Sequence, residues 1–499
     1  MAYFSQRTAF LAVLLMPLAS ALGSTSYNGL AKTPQTGWDK WNAYGCEIDA
    51  ETLLDTAQKM VDLGFRDLGY KYVILDDCWS NPERSHNGSL VANSTKFPEG
   101  IKAVADKIHD LGLLFGMYSS AGLYTCAQYP ASLGHERQDA QTFADWGVDY
   151  LKYDNCYNQG QEGTSQLTFN RYDTMSKALN ETGRPIWYSM CNWGRDYPWN
   201  WAQTMANSWR ISGDVYDSFD RPDARCPCTT YDCPLPGFHC SVMNIIGKAA
   251  PIVDKGQPGG WNDLDALEVG NGGMSDDEYK VHFSMWAMIK SPLIMGTNIP
   301  KITASTYSIL ANPAVIAISQ DSAGTPAYRV WNREADIDQY DQGSQSLWVM
   351  SLSGGDFAIA LLNAGNTSME LNATLEEIFI DKATTAGGRT KGPLPSSSGW
   401  DVYDLWANRM SDVMANSIIQ GNATVNGTIT DTSNSATLYN ATEMSYADGI
   451  KSNHTALLGA KISSVPPMGT ISAVVPRHGI AVFRLRKQDS GSLKKRSEL

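Results

Sequence analysis

From residue 37 onward, a short β-type apolar run ending in polar or acidic residues is followed by an amphipathic helix, and the unit recurs eight times. The runs are 37–42, 72–75, 113–118, 150–154, 186–190, 208–211, 259–263 and 293–295. Helical stripes lie between them. Asp49 is placed to cap a helix whose Leu53, Ala57, Met60 and Val61 share a face before Gly64. Ile101, Val104, Ala105 and Ile108 form a second stripe, and Ala140, Phe143 and Ala144 a third. Ser275 and Glu278 have capping-box spacing ahead of Tyr279, Phe283, Trp286 and Ala287. Eight such units over about 290 residues predict a (β/α)8 TIM barrel spanning 22–325. A doubly wound sheet shares the rhythm, but no glycine-rich phosphate fingerprint follows the first run.

Beyond residue 325 the rhythm changes. Leu347–Met350, the turn Ser353-Gly354-Gly355-Asp356 and Phe357–Leu362 read as a hairpin, and Ile480–Leu485 as a last strand. The expectation is an antiparallel all-β domain over 326–487 with long polar loops, then a disordered tail over 488–499. Residues 1–21 have the charge, short apolar stretch and Ala-Ser-Ala ending of a secretory signal, so a secreted, extracellular protein is expected. Nine sequons agree with that, at Asn87, Asn93, Asn180, Asn366, Asn372, Asn422, Asn426, Asn440 and Asn453. A net charge of −13 with one short basic run near the end argues against nucleic acid or anionic membrane as partner.

Nine cysteines in an oxidising compartment suggest four disulfides and one free thiol. Cys226, Cys228, Cys233 and Cys240 lack the spacing of the usual zinc fingers. Nested pairs, Cys226–Cys240 around Cys228–Cys233, are expected to staple this proline-rich loop free of metal.

A barrel gathers its chemistry at the C-terminal strand ends. There the second run delivers Asp76 and Asp77, and the fourth Lys152 and Asp154. The sixth delivers Arg210 and then Asp214; Trp38, Tyr118, Cys191, Asn192 and Trp193 come from other runs, and Gln257 approaches the seventh. Alternation puts Tyr150, Lys152 and Asp154 on one strand face. An ammonium there favours an ionised carboxylate, which suits either a structural ion pair or a nucleophile. A metal site at Asp76 and Asp77 is disfavoured by Lys152 and Arg210 and by the lack of a histidine at any strand end. No G-x-S-x-G supports a serine hydrolase. Two carboxylates at the mouth fit glycoside hydrolysis.

Five motifs carry a resemblance: Gly37-Trp38-Asp39-Lys40-Trp41-Asn42, Leu75-Asp76-Asp77-Cys78-Trp79, Lys152-Tyr153-Asp154-Asn155-Cys156, Trp209-Arg210-Ile211-Ser212-Gly213-Asp214 and Gly259-Gly260-Trp261-Asn262-Asp263. In this order they resemble glycoside hydrolase family 27, most closely the secreted fungal melibiases. The similarity continues through Asp404–Arg409, Leu438–Thr442 and His478–Ala481. It implies a retaining α-galactosidase without cofactor that acts on galacto-oligosaccharides such as melibiose and raffinose. Asp154 would be the nucleophile and Asp214 the general acid/base. Asp76 and Asp77 would hold the 4- and 6-hydroxyls of galactose, and Lys152, Arg210 and Gln257 would bind hydroxyls. Trp38 and Trp193 would wall the pocket, Tyr118 and Cys126 would line it, and Asn192 would face the 2-substituent. Cys46–Cys78 and Cys126–Cys156 would be disulfides, leaving Cys191 unpaired near the sugar. Ala266 stands where many relatives carry Met, so leaving-group contacts are expected to differ there. The family also contains α-N-acetylgalactosaminidases and β-L-arabinopyranosidases. A non-catalytic sugar-binding glycoprotein would need neither Asp154 nor Asp214. A homo-oligomer is compatible with the sequence.

Overall fold

The computed structural model describes residues 27–227, 237–379, 395–422 and 438–488. The signal segment, the tail beyond 488, Cys228, Cys233 and Asn426 lie outside the described residues.

Eight parallel strands form the first sheet: β1 (Thr36–Asp39), β2 (Tyr72–Leu75), β3 (Leu114–Ser120), β4 (Tyr150–Asp154), β5 (Trp187–Cys191), β6 (Ser208–Arg210), β7 (Trp261–Asp263) and β8 (Leu293–Met295). Their order is sequential from β7 back to β1, and β1 pairs in turn with β8. A parallel bridge between Leu267, just past β7, and Met295 of β8 brings the two ends together. The sheet thus curls into a TIM barrel.

Alternation along each strand sorts the side chains. Tyr72, Ile74, Tyr150, Trp187, Trp261 and Ile294 pack together inside the barrel. Val73, Leu75, Leu151, Tyr153, Tyr188 and Met190 face outward into the large core shared with the helices. In the helix Ala50–Asp62, the Asp49 carboxylate accepts from the Thr52 N–H, and Leu53, Ala57 and Met60 are buried. Burial of a leucine such as Leu53 is worth about 2 kcal/mol.

The helix Asp276–Ile289 has the expected Ser275–Glu278 capping box. It is buried on more faces than its predicted stripe, with Val281, His282, Met285 and Met288 also inside. A helix apolar all round is a buried one, and here the second domain covers what would otherwise be its outer face. Trp406 Nε1 donates to Ser284 Oγ at 3.0 Å, and Arg409 pairs with Asp276 at 2.5 Å.

The second domain is antiparallel. One sheet runs β14 (Ala460–Val465), β13 (Trp400–Asp404), β16 (Gly479–Lys487), β11 (Phe357–Asn363), β10 (Ser344–Ser351) and β9 (Tyr328–Glu334). A second sheet pairs β12 (Met369–Thr374) with β15 (Thr470–Val475). Leu371, Ala373, Ile471 and Val475 join Leu347, Val349, Ile359 and Phe483 in a core between the sheets. The segment read as long polar loops therefore holds four strands, as well as the helices Asp412–Ile419 and Tyr446–Lys451. The sequence concealed them because each strand buries at most two of its residues and leaves the rest, many of them polar, at least partly exposed. Of the described sequon asparagines, Asn87, Asn180, Asn366, Asn372, Asn422 and Asn453 are exposed and Asn93 and Asn440 half-buried.

Candidate active site

The C-terminal ends of the barrel strands surround a cavity of about 260 Å³. Asp39, Asp76, Asp77, Tyr118, Lys152, Asp154, Cys191 and Arg210 reach it from β1 to β6, or from the residues just past them, and Asp214 stands on the loop that follows β6. Trp193 and Cys126 also line it. Register brings the central groups together, since Tyr118 stands opposite Lys152 on β3 and β4, and Asp154 opposite Cys191 on β4 and β5.

Asp154 is buried, 6% exposed. Its Oδ1 accepts from the Asn155 N–H at 2.8 Å and its Oδ2 from the Tyr118 hydroxyl at 2.9 Å. Burial pushes its pKa up to about 7, Lys152 pulls it back and Asp214 pushes it up again. Lys152 does favour the charged form, and burial is the larger effect. Lys152 Nζ instead meets Asp76 Oδ2 at 2.6 Å and Asp39 Oδ2 at 3.9 Å. Burial opposes charge on Asp76 as well, yet Lys152 and Lys40 together hold its pKa below the usual carboxylate range. Asp39, beside Asp76, is driven the other way by burial and by that neighbour, up to about 8.

Asp77 is fixed by main chain: its Oδ1 accepts from Cys78 N–H and its Oδ2 from Ala127 N–H, at 2.7 and 2.8 Å. Two disulfides hold those donors, Cys46–Cys78 at the end of β2 and Cys126–Cys156 across the ends of β3 and β4. Cys226 pairs with Cys240, and Cys191 is a buried free thiol.

Asp214 is the open carboxylate, its side chain 54% exposed. Arg210 Nη2 donates to Asp214 Oδ1 at 3.0 Å and pairs with Asp265 Oδ2 at 2.8 Å. It also donates to the Ser212 and Gly213 carbonyls, at 3.3 and 2.8 Å. One guanidinium therefore ties the Asp214 loop to the end of β7.

Three residues expected at the pocket lie elsewhere. Trp38 is fully buried on the outer face of β1, its indole N–H donating to the Thr297 carbonyl at 2.8 Å. Alternation gives the inward position to Asp39, and Trp41 with Asn42 lines the cavity in place of Trp38. Asn192 follows the inward Cys191 and so turns away; its amide donates to the Arg195 carbonyl at 2.6 Å and it lines no part of the cavity. Gln257 precedes β7, which places it at the N-terminal end of the barrel, exposed and 3.5 Å from Gln203. Sequence reading missed Asp39, Asp263, Asp265, Phe238 and His239 in the lining. Strand alternation from Gly37 would have found Asp39. The last two come from a loop, where no periodicity guides the eye.

Residues 33–321 match the family described as Alpha galactosidase A, and residues 342–430 its C-terminal beta sandwich domain. The chain is 54% identical to alpha-galactosidase 1 of Saccharomyces cerevisiae over 466 residues, 93% of this chain and 95% of that one. It is 52% identical to the alpha-galactosidase of Saccharomyces mikatae over 482 residues, 96% and 99% of the two chains. The solved alpha-galactosidase of Saccharomyces cerevisiae superposes with a TM-score of 0.88 at 54% identity, covering 93% of this chain and 99% of that one, and has also been solved with raffinose. Alpha-galactosidase I of Mortierella vinacea superposes with a TM-score of 0.75 at 45% identity, covering 92% and 98%. The chain belongs to the α-galactosidases of glycoside hydrolase family 27 and is a glycoside hydrolase with α-galactosidase activity.

Proposed function

We propose that the chain is a secreted, retaining α-galactosidase that removes terminal non-reducing α-galactosyl residues from oligosaccharides such as melibiose and raffinose. The observation that carries this reading is the contrast between two carboxylates on one cavity: Asp154 is buried at its base and Asp214 is open at its rim. The first is the nucleophile. Held on both oxygens by Asn155 and Tyr118, it attacks the anomeric carbon along a fixed line. Asp214 gives its proton to the leaving oxygen, then takes one from water as the galactosyl ester is hydrolysed. Its exposure suits that second role, since water and the departing sugar both pass the rim.

Asp76, Asp77 and Lys152 form the sugar-binding floor, where rigid acceptors and one donor can hold the hydroxyls of a single galactose. Asp39 and the bulky Trp41 and Trp193, which also line the cavity, limit what else enters. Support for oligosaccharide substrates comes from the raffinose complex of the 54% identical yeast enzyme. The leader-like first 21 residues and the exposed sequons support secretion. The test is nitrophenol release from the α-galactoside against the α-N-acetylgalactosaminide, with raffinose as natural substrate. Comparable rates on both aryl substrates, or no galactose from raffinose, would overturn the reading.

A further inference from the structure

Away from the catalytic cavity, the two domains meet at a buried group of ionisable side chains. Asp220 lies on the loop after β6, Glu278 in the first turn of the helix Asp276–Ile289, Asp338 between β9 and β10, and His478 in the turn before β16. His478, Asp220 and Asp338 are 4%, 7% and 8% exposed. One carboxylate oxygen from each aspartate and one ring nitrogen of His478 all lie within 4.8 Å of one another.

The hydrogen bonding leaves this group incomplete. His478 Nδ1 meets Glu278 Oε1 at 2.7 Å, and the ring stacks on Phe219 with centroids 4.5 Å apart. Its Nε2 lies 3.4 Å from Asp220 Oδ2, and neither of these buried atoms has a hydrogen-bond partner. Asp338 Oδ1 accepts from the N–H groups of Tyr340 and Gln342, at 2.7 and 3.0 Å, and its carboxyl group lies within hydrogen-bonding reach of Asp220. Among the described residues, no lysine or arginine forms an ion pair with Asp220, Asp338 or Glu278. Buried carboxylates need an opposite charge or a proton. The tautomer that gives its Nδ1–H to Glu278 turns the Nε2 lone pair toward Asp220.

We propose that Asp220, Asp338 and His478 bind a divalent cation of the zinc class at the domain interface, with Glu278 orienting the imidazole. A carboxylate on the far nitrogen of a ligating histidine is the usual outer partner in such sites. One imidazole with two carboxylates suits zinc and its neighbours. It offers too few oxygens for calcium, which takes six to eight. A second cavity of about 240 Å³ is lined by Asp220, Asn244 and Ser346, so the cluster meets it on the Asp220 side. The cation would clamp the loop that also carries Asp214 to the second domain.

The test uses the full-length enzyme, stripped with a chelator and titrated with Co²⁺ and Zn²⁺. One equivalent of Co²⁺ should give the intensified visible bands of a four-coordinate site, and Zn²⁺ should displace it and raise Tm by a few degrees. Asp338→Asn should abolish both responses, whereas Asp223→Asn, a carboxylate on the same cavity but outside the cluster, should keep them. X-ray absorption of zinc-loaded wild type should report only nitrogen and oxygen neighbours. These wild-type readouts stand even if a variant fails to fold. No saturable uptake, a Tm indifferent to zinc, sulfur in the shell, or uptake surviving Asp338→Asn would overturn the proposal.

Discussion

Lys152 Nζ sits 2.6 Å from Asp76 Oδ2, committed to the floor of the cavity and not to Asp154 two residues along its own strand. Its removal therefore strands Asp76 and Asp39, both buried. Lys152→Met should cost about 3–5 kcal/mol of stability and abolish measurable hydrolysis. The double variant Lys152→Met/Asp76→Asn should regain much of that stability and none of the activity. Urea unfolding with parallel kcat/KM values checks this; a single variant within 1 kcal/mol of wild type would show that the pair is not what compensates the burial.

Asp154 carries a cost that the fold bears for chemistry. Its folded pKa, about 7, lies above the free value of 3.8, so between these the folded protein keeps a proton that the unfolded chain releases. The unfolded state then binds fewer protons, and this contribution to stability falls as pH rises from about 4 to 7. Asp154→Asn removes the titration. The variant should gain on wild type as pH rises, by up to about 4 kcal/mol at pH 8, while losing activity. Tm values for both proteins at pH 5 and pH 8 test it, and a gap that does not widen with pH would count against the buried charge.

Gly213 fixes where Asp214 stands. A Cβ there would lie 1.5 Å from the Gly237 carbonyl oxygen, with backbone on the far side and no flexible side chain to give way. Gly213→Ala must push the two loops apart and carry Asp214 off its position. Hydrolysis of raffinose should fall about 100-fold, and that of an aryl galactoside with a good leaving group much less, because it needs little protonation. Equal losses on both substrates would mean that the whole cavity had collapsed.

Cys191 faces the cavity, and Arg210 Nη1 donates to its Sγ at 3.4 Å. Burial drives its thiol pKa well above the usual value. Iodoacetamide at pH 8 should therefore react slowly with the folded enzyme. A mercurial that does not require the thiolate should inhibit it, with galactose protecting. Mass spectrometry of the labelled peptide reads this out, and fast alkylation unaffected by galactose would place the thiol outside the sugar site.

The barrel was legible because its helices announce themselves by stripes and caps; Asp49 and Ser275 cap where the sequence places them. Strand alternation was equally informative along β4, where Lys152 and Asp154 do share the inner face. At β1 and β5 it disagrees with the motif resemblance, which implies Trp38 and Asn192 in the pocket although their neighbours Asp39 and Cys191 hold the inward positions. Asn192→Ser is accordingly expected to leave the choice between galactose and N-acetylgalactosamine unchanged. Chain direction would have excluded Gln257, which enters β7 at the opposite end. The ionic partner of Lys152 was not legible at all, since Asp76 lies 76 residues away and only closure of the barrel brings the two together.

The proposed attack of Asp154, through a galactosyl ester, inverts the anomeric carbon twice. Proton NMR of the wild-type reaction in its first minutes, before mutarotation, reads the outcome directly. α-Galactose should accumulate first and relax slowly toward the β-rich mixture. β-Galactose appearing first would mean a single displacement by water, and would contradict the assignment of Asp154 as nucleophile.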